Sequence, residues 1–303
     1  MKSTLSKIGT SLMLLYCIAG MQACNVPKYS DLQGDYFGQP LPGIKAEIFA
    51  PSFISLPDRG EYAIAFSPDG NECYISCNVK NTSSIFYTKR VNNTWIKQSE
   101  ISFLKDQKFD LSHLSADGNT IYLEKDNDIW KSERKAGSWS EPERLPSPVN
   151  SASNDHGYST SSDGIMYIGS SRPAGSGNSL EIWRIVPSSD NAENLGPVIN
   201  STQRNLTPCI APDGSYLIFT QSDTSYEYLC ISFDKGNSQW TEPVNMDMDG
   251  ARINISTYQN RPSLSPDGKY LFFNSHGAGN AGISDIYWVS TEIIANIRNE
   301  VIK

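Results

Sequence analysis

Acidic, basic and amide side chains recur six to nine residues before the aspartate of each of five similar turns. These candidate site residues are Glu61, Asp110, Asp155, His156, Arg204, Asn205, Asn260 and Arg261. Two facing carboxylates could act as acid and base in glycoside cleavage. His156 as a base, with Arg204 or Arg261 neutralising a uronate carboxylate, would suit a polysaccharide lyase. Without reactivity, the same groups could bind a polar or sugar-like ligand, or simply line a wet channel.

The five turns that would position these residues share one four-residue pattern. The copies are Ser67-Pro-Asp-Gly70, Ser115-Ala-Asp-Gly118, Ser161-Ser-Asp-Gly164, Ala211-Pro-Asp-Gly214 and Ser265-Pro-Asp-Gly268. Their glycines are 48, 46, 50 and 54 residues apart. Pro presets φ, Asp can bond its own backbone, and Gly adopts φ > 0 without steric cost. A repeat of this length with several short strands per unit is typical of a propeller.

One repeat unit, residues 109–145, illustrates the expected blade. A strand leads into the Asp117-Gly118 turn, and residues 119–124 alternate apolar and polar side chains as a half-buried strand does. A third strand starts at Asp128, and a fourth starts at Trp139 and contains a Pro suited to an outer edge. We therefore predict blades that are four-stranded antiparallel meanders. The tryptophans that recur on third and fourth strands are expected to pack between blades.

The last unit lacks a fourth strand, and a spare strand stands at residues 45–51. We predict an all-β, five-bladed β-propeller over residues 45–290, with the N-terminal strand closing the last blade and so removing a free edge. Residues 291–303 are expected to form a short helix, because their apolar residues have helical spacing. Six blades are the alternative, although a further blade would need about 45 more residues.

The N-terminus has the features of an export signal. Residues 1–23 combine Lys2 and Lys7 with an apolar stretch too short to span a bilayer. The stretch ends at Ala23-Cys24, similar to a bacterial lipoprotein signal, in which that Cys carries the lipid. We expect residues 24–44 to form a lipidated tether and the protein to be held at the periplasmic or outer-membrane face of the cell envelope. Plain secretory cleavage after Ala23 is the alternative.

Charge and cysteine usage narrow the possible partners. The net charge is −8 and no basic run is present, which argues against nucleic acid as a partner.

Four cysteines of the expected domain, Cys73, Cys77, Cys209 and Cys230, are expected to be buried free thiols. Their strand positions do not suit disulfides, and no Cys/His spacing resembles a zinc site.

No cofactor is expected, although two acidic segments raise the possibility of calcium. Asp126-Asn-Asp128 and Asp247-Met-Asp249-Gly250 lack the full ligand spacing of a calcium-binding loop, so a turn-capping role is favoured. The protein is expected to be a monomer.

The repeats resemble those of a known family. Ala65-Phe-Ser-Pro-Asp-Gly70 and the segment from Leu264 to Phe273 are similar to the TolB-type, WD-like propeller repeat. Together with the strand at Glu47-Ile-Phe-Ala-Pro51, the chain looks like exported propeller lipoproteins of Bacteroidota. The resemblance implies the fold over about residues 45–290. TolB's propeller is a periplasmic interaction module with an extra N-terminal domain that this chain has no room for, so its role is not carried over. Similar propellers include lyases and glycosidases.

Two functions remain open from the sequence. The first is a non-catalytic binding or scaffolding propeller that engages an envelope protein or glycan. The second is a carbohydrate-active enzyme at the channel mouth, for which Asp110, Asp155 and His156 are the candidate catalytic residues. No nucleophile motif is present and the three histidines are scattered, which favours the first.

Overall fold

The structure is a computed structural model that describes residues 32–173, 180–201, 203–223, 225–236, 239–247, 252–276 and 283–302. The expected signal peptide over residues 1–23 and the expected lipidation site at Cys24 lie outside these residues. Within the described ranges, no helix is long and apolar enough to cross a membrane.

The chain forms five antiparallel sheets arranged as blades around a central channel, as predicted, so the six-bladed alternative is wrong. Blade 1 consists of β2 (Gly60–Phe66), β3 (Glu72–Val79), β4 (Thr82–Val91) and the outer segments β5 (Thr94–Trp95) and β6 (Ser99–Glu100). Blade 2 consists of β7 (Asp110–Leu114), β8 (Thr120–Lys125), β9 (Asp128–Lys135) and the outer segments β10 (Ser138–Trp139) and β11 (Glu143–Arg144). Blade 3 consists of β12 (Asp155–Thr160), β13 (Met166–Ser170), β14 (Glu181–Ile185) and β15 (Glu193–Asn194). Blade 4 consists of β16 (Arg204–Ile210), β17 (Tyr216–Ser222), β18 (Glu227–Phe233) and β19 (Val244–Asn245). Blade 5 consists of β20 (Gln259–Leu264), β21 (Tyr270–Ser275), β22 (Asp285–Ser290) and β1 (Glu47–Ile48).

The repeated turn joins the first and second strands of every blade. In the first copy, Gly70 has φ 67° and its N–H donates to the Ser67 carbonyl at 2.8 Å. The Asp69 carboxylate accepts from the Ser67 hydroxyl at 2.5 Å and from the Asn71 N–H at 3.0 Å. The Asp therefore stabilises its own turn, and the five turns lie at one end of the channel.

The N-terminal strand closes the ring as the sequence predicts. Strand β1 pairs antiparallel with β22, with Glu47 opposite Trp288 and Ile48 opposite Tyr287. The Phe49 N–H extends this pairing by donating to the Ile286 carbonyl at 2.8 Å. The outer edge of blade 5 is therefore covered by the start of the domain.

The segment before β1 packs more extensively than expected of a tether. Tyr36 and Phe37 are buried in an aromatic cluster between blades 1 and 5. The Leu32 carbonyl accepts from the Trp95 N–H at 2.9 Å, and Trp95 Nε1 donates to the Gly34 carbonyl at 2.8 Å. The packed residues therefore include Leu32, which precedes the expected boundary at residue 45.

Serine hydroxyls link neighbouring blades near the channel. The Ser112 hydroxyl of blade 2 accepts from the Tyr158 N–H of blade 3 at 2.7 Å. The Ser263 hydroxyl of blade 5 donates to the Ile64 carbonyl of blade 1 at 2.9 Å. These bonds satisfy backbone groups on the innermost strands, which have no strand partner on the channel side.

The remaining expectations about packing are confirmed. The helix α1 (Glu292–Val301) buries Ile293, Ile294 and Ile297 against the apolar residues of blades 4 and 5. Cys73, Cys77, Cys209 and Cys230 are buried free thiols. The tryptophans of the third and fourth strands pack against the apolar clusters: Trp95, Trp183, Trp240 and Trp288 are buried, and Trp130 and Trp139 are partly buried.

Candidate functional site at the channel mouth

Each innermost strand has a β-bulge near its start, at the end of the channel opposite the repeated turns. In blades 3, 4 and 5 the bulge contains Gly157, Thr207 and Arg261, with φ values of 58°, 42° and 52°. Positive φ is strained for a β-branched or bulky residue, and such strain is concentrated at functional sites. The bulges redirect the chain at this mouth, so the groups that meet there come from several blades.

Arg261 of blade 5 crosses the channel to blade 2. Its guanidinium lies 3.2 Å from Glu124 Oε2, 4.0 Å from Asp110 Oδ2 and 3.3 Å from the Leu111 carbonyl oxygen. Blades 5 and 2 are not neighbours in a ring of five, so this ion pair spans the channel. The guanidinium also lies over the Tyr62 ring of blade 1, 5.5 Å from its centre.

Two further groups complete what we call the mouth cluster, which consists of Tyr62, Asp110, Glu124, His156 and Arg261. The Tyr62 hydroxyl donates to the Asp110 carboxylate. His156 Nδ1 of blade 3 lies 3.8 Å from Glu124 Oε2. The Gly157 N–H donates to Glu124 Oε1 at 2.9 Å. Four of the five blades therefore contribute a side chain to one connected polar network.

The electrostatics of the mouth cluster favour ionised groups. Burial alone would raise the pKa of Glu124, which is 5% exposed. The charge of Arg261 and the hydrogen bonds that the Glu124 carboxylate accepts outweigh burial and lower that pKa to about 2. Burial would lower the pKa of Arg261, but Glu124 and Asp110 raise it above its usual range. The mouth cluster thus places the two carboxylates of Asp110 and Glu124 around the one guanidinium of Arg261.

Two carboxylates expected at the mouth are buried elsewhere. Glu61 is 0% exposed and pairs with Arg59 at 2.6 Å. Burial raises the pKa of Glu61, and the Arg59 ion pair opposes that shift. Asp155 is also 0% exposed and pairs with Arg172 at 2.7 Å. Both acids hold neighbouring segments together and have no face open to a ligand.

The predicted asparagine residues and Arg204 lie in different environments. Asn205 is fully buried and donates to the Gln203 carbonyl at 3.1 Å, away from the mouth cluster. Asn260 accepts from the Thr207 hydroxyl at 2.7 Å and donates to Glu227 at 2.8 Å, so it supports the bulges. Arg204 is exposed beside the mouth.

The structure therefore brings together Asp110, His156 and Arg261 of the predicted set, and it adds two residues. Tyr62 directly follows the predicted residue Glu61, and Glu124 lies near the end of β8, the second strand of blade 2. Glu124 shares its strand face with Tyr122, which stacks on Tyr158 of blade 3 at 4.0 Å. Side chains alternate between the two faces of a strand, so the position of Glu124 two residues after Tyr122 indicates that both point toward blade 3.

The described residues of the two acidic segments considered for calcium bond within their own chain. Asp126 and Asn127 form a tight turn with φ 53° and 66°, and Asp128 pairs with Arg144 at 2.6 Å. Asp247 accepts from the Ile253 and Asn254 N–H groups at 2.8 Å, and Asp249-Gly250 lie outside the described residues. In the described part of the chain, no group of three or more His, Cys, Asp or Glu is placed to hold a metal ion.

Comparison with known proteins locates similarity in the fold alone. The molecule is a five-bladed β-propeller. No protein-family model matches the chain. No curated protein matches it either. A TolB-like protein of Agrobacterium tumefaciens is 18% identical, with 78% of this chain and 76% of that chain covered and a TM-score of 0.45. TolB from Acinetobacter baumannii is 15% identical, with 75% and 54% covered and a TM-score of 0.46, so this chain spans about half its length. A thermostable family-43 glycoside hydrolase is 13% identical, with 77% and 91% covered and a TM-score of 0.44.

Proposed function

We propose that the protein is a non-catalytic binding propeller of the cell envelope that engages a glycan, or a protein partner, at the mouth cluster. The observation that supports this proposal is the ion pairing of the carboxylates. Glu124 and Asp110 face Arg261, and Glu61 and Asp155 are buried in ion pairs with Arg59 and Arg172. The mouth thus offers hydrogen-bonding groups in fixed positions rather than reactive ones.

Glycoside cleavage is disfavoured by the charge states. It requires one carboxylic acid that is protonated near the working pH and a second carboxylate across the bond. Glu124, with a pKa of about 2, remains ionised at neutral pH. Glu61 and Asp155 are inaccessible to a polymer. Asp110 alone cannot act both as the protonated acid and as the second carboxylate.

A lyase reaction that relies on Arg261 is disfavoured by the position of that residue. Neutralising a uronate carboxylate would require a free arginine, whereas Arg261 already lies 3.2 Å from Glu124 and over the Tyr62 ring. His156 Nδ1 lies 3.8 Å from Glu124 Oε2, a carboxylate oxygen that Arg261 also contacts.

The surroundings of the mouth favour a neutral glycan as the partner. Tyr258 immediately precedes the innermost strand of blade 5 and stacks on His276 at 4.3 Å, with both rings partly exposed. Tyr226, on the neighbouring blade, is 53% exposed. Sugar rings pack on such aromatic faces, while their hydroxyl groups can donate to Asp110 and accept from Arg261.

The binding proposal is tested with a panel of neutral and acidic oligosaccharides and polysaccharides, measured by calorimetry and by product detection. We expect binding of a neutral glycan without turnover. Asp110→Asn and Tyr258→Ala should each weaken the affinity about tenfold, as the loss of one charged hydrogen bond or one stacking contact implies. Arg184→Ala is the matched control, because Arg184 pairs with Glu193 on an outer strand. Product formation that disappears in Asp110→Asn or His156→Ala would replace this proposal with the enzyme.

The proposed location is tested separately. We expect Cys24 to carry lipid, so Cys24→Ser should move the protein from the detergent phase to the aqueous phase in detergent partitioning. The reason is that acyl chains attached to Cys24 would anchor the protein in the detergent phase. Cys73→Ser, at a buried thiol, is the control and should leave partitioning unchanged. An unaltered detergent fraction for Cys24→Ser would contradict lipid anchoring.

A further inference from the structure

The channel contains a cavity of about 330 Å³ on the turn side of the Arg261–Glu124 ion pair. All five innermost strands contribute to its walls. We call it the inner cavity. Its volume falls in the range of small-molecule sites, and it is about twice the roughly 150 Å³ of an apolar cavity that holds benzene.

The inner cavity reaches solvent at the end of the channel where the repeated turns lie. The second residue of each turn forms its rim, and all five are exposed: Pro68, Ala116, Ser162, Pro212 and Pro266. None of these residues carries a charge. A ligand can therefore approach from this face without passing the mouth cluster, which lies at the other end.

The walls of the inner cavity are mostly apolar. Ala63 and Ala65 in blade 1 are small, and Leu114, Ile210 and Leu264 line the other sides. The only charged residues among the lining residues are Glu124 and Arg261, which are paired with each other. Because these two charges pair with each other and no other lining residue carries a charge, the lining favours a neutral molecule.

His113 supplies a specific polar contact inside the inner cavity. Its ring lies 6.1 Å from the Tyr122 ring and 6.0 Å from the Tyr158 ring, measured between centres. Burial lowers the pKa of His113 to about 4, so the imidazole is neutral at pH 7. No described residue makes a hydrogen bond to the imidazole. A neutral imidazole offers one donor and one acceptor to a ligand.

We propose that the inner cavity is a second binding site for a neutral molecule of about ten to twelve heavy atoms, with a largely apolar body and one hydroxyl or carbonyl that bonds to His113. The site opens on the face opposite the proposed glycan site and shares with it the residues Arg261 and Glu124. The Arg261–Glu124 ion pair separates the two sites.

The test uses 2-naphthol as the probe and the full chain carrying Cys24→Ser, so that no attached lipid or detergent interferes. We expect saturable one-to-one binding with a Kd on the order of 100 µM by calorimetry or fluorescence. 2-Naphthalenesulfonate, which is anionic, should bind at least about tenfold more weakly. Asp110→Asn, at the mouth cluster, should leave the Kd for 2-naphthol unchanged, which separates this site from the proposed glycan site.

Three variants locate the probe. His113→Phe should weaken 2-naphthol about tenfold but leave naphthalene unaffected, since only the hydroxyl bonds to the imidazole. Ala65→Leu fills the cavity and should abolish binding of both. Ala116→Trp blocks the rim at an exposed position without altering the core, and Glu141→Trp on an outer exposed loop is its control. The proposal is overturned if the parent protein shows no saturable binding, if Ala116→Trp binds 2-naphthol as Glu141→Trp does, or if His113→Phe binds 2-naphthol as tightly as the parent protein does.

Discussion

Replacing Arg261 with leucine should lower the free energy of unfolding by about 3–5 kcal/mol, the cost of leaving a buried charge without its partner. Glu124 is 5% exposed, and its carboxylate depends on Arg261 for its counter-charge. Asp110 would lose the same neighbour. Urea unfolding followed by circular dichroism measures the change. Arg144→Leu is the matched control, because the Arg144 side chain is 43% exposed and such pairs contribute about 0–1 kcal/mol.

The effect should also depend on pH in a defined direction. In the parent protein the pKa of Glu124 is about 2 when folded and 4.5 when unfolded, so its ionised form stabilises the fold above pH 4.5. That stabilisation, on the order of 3 kcal/mol, is lost as the pH falls from 4.5 toward 2. Without Arg261, burial should raise the folded pKa instead. The deficit of Arg261→Leu should therefore shrink as the pH falls below 4.5.

A second variant tests the same explanation. Glu124→Gln combined with Arg261→Leu removes the buried charge and should recover part of the lost stability. A deficit for Arg261→Leu no larger than that of Arg144→Leu, with no pH dependence, would show that the ion pair across the channel contributes little.

The architecture of the blades could be predicted from the sequence because its determinants are local. Each turn is specified by four consecutive residues, and the Asp69 carboxylate bonds within its own turn. The closure by β1 was also predictable, since an incomplete last blade needs a strand and the chain has one to spare. In contrast, the composition before residue 45 suggested a tether, and the burial of Tyr36 and Phe37 depends on a gap that only the folded ring creates.

The candidate site was only partly predictable, because bulges and ion pairs decide which side chains reach the channel. Asp110, His156 and Arg261 meet as expected. Glu61 is diverted by Arg59, two residues away, and Asp155 by Arg172. Spacing from the turn does not encode such pairings. Glu124 could not be identified from the innermost strands, since it belongs to the second strand of its blade and meets Arg261 from across the ring.

Phe49→Ala should lower the free energy of unfolding by about 3–5 kcal/mol, because a fully buried ring is lost where the ring of blades closes. Its ring centre lies 5.0 Å from those of Phe272 and Trp288 in blade 5 and 6.0 Å from that of Phe66 in blade 1. The side chain therefore joins the first blade to the last. Phe103→Ala, at a partly buried ring outside the closure, is the matched control and should cost less. Thermal and urea unfolding measure both variants.

Deleting residues 45–52 should have a larger effect than Phe49→Ala. The deletion removes the pairing of Glu47 and Ile48 with β22 as well as the Phe49 ring, and it separates the aromatic residues Tyr36 and Phe37 from their place between blades 1 and 5. Blade 5 would then present the unpaired edge of β22 to solvent, which favours association with another chain. We expect aggregation or a broad, non-cooperative transition. A soluble deletion variant that still unfolds in one sharp transition would mean that the ring is held closed by contacts between the innermost strands, and that β1 only covers the edge.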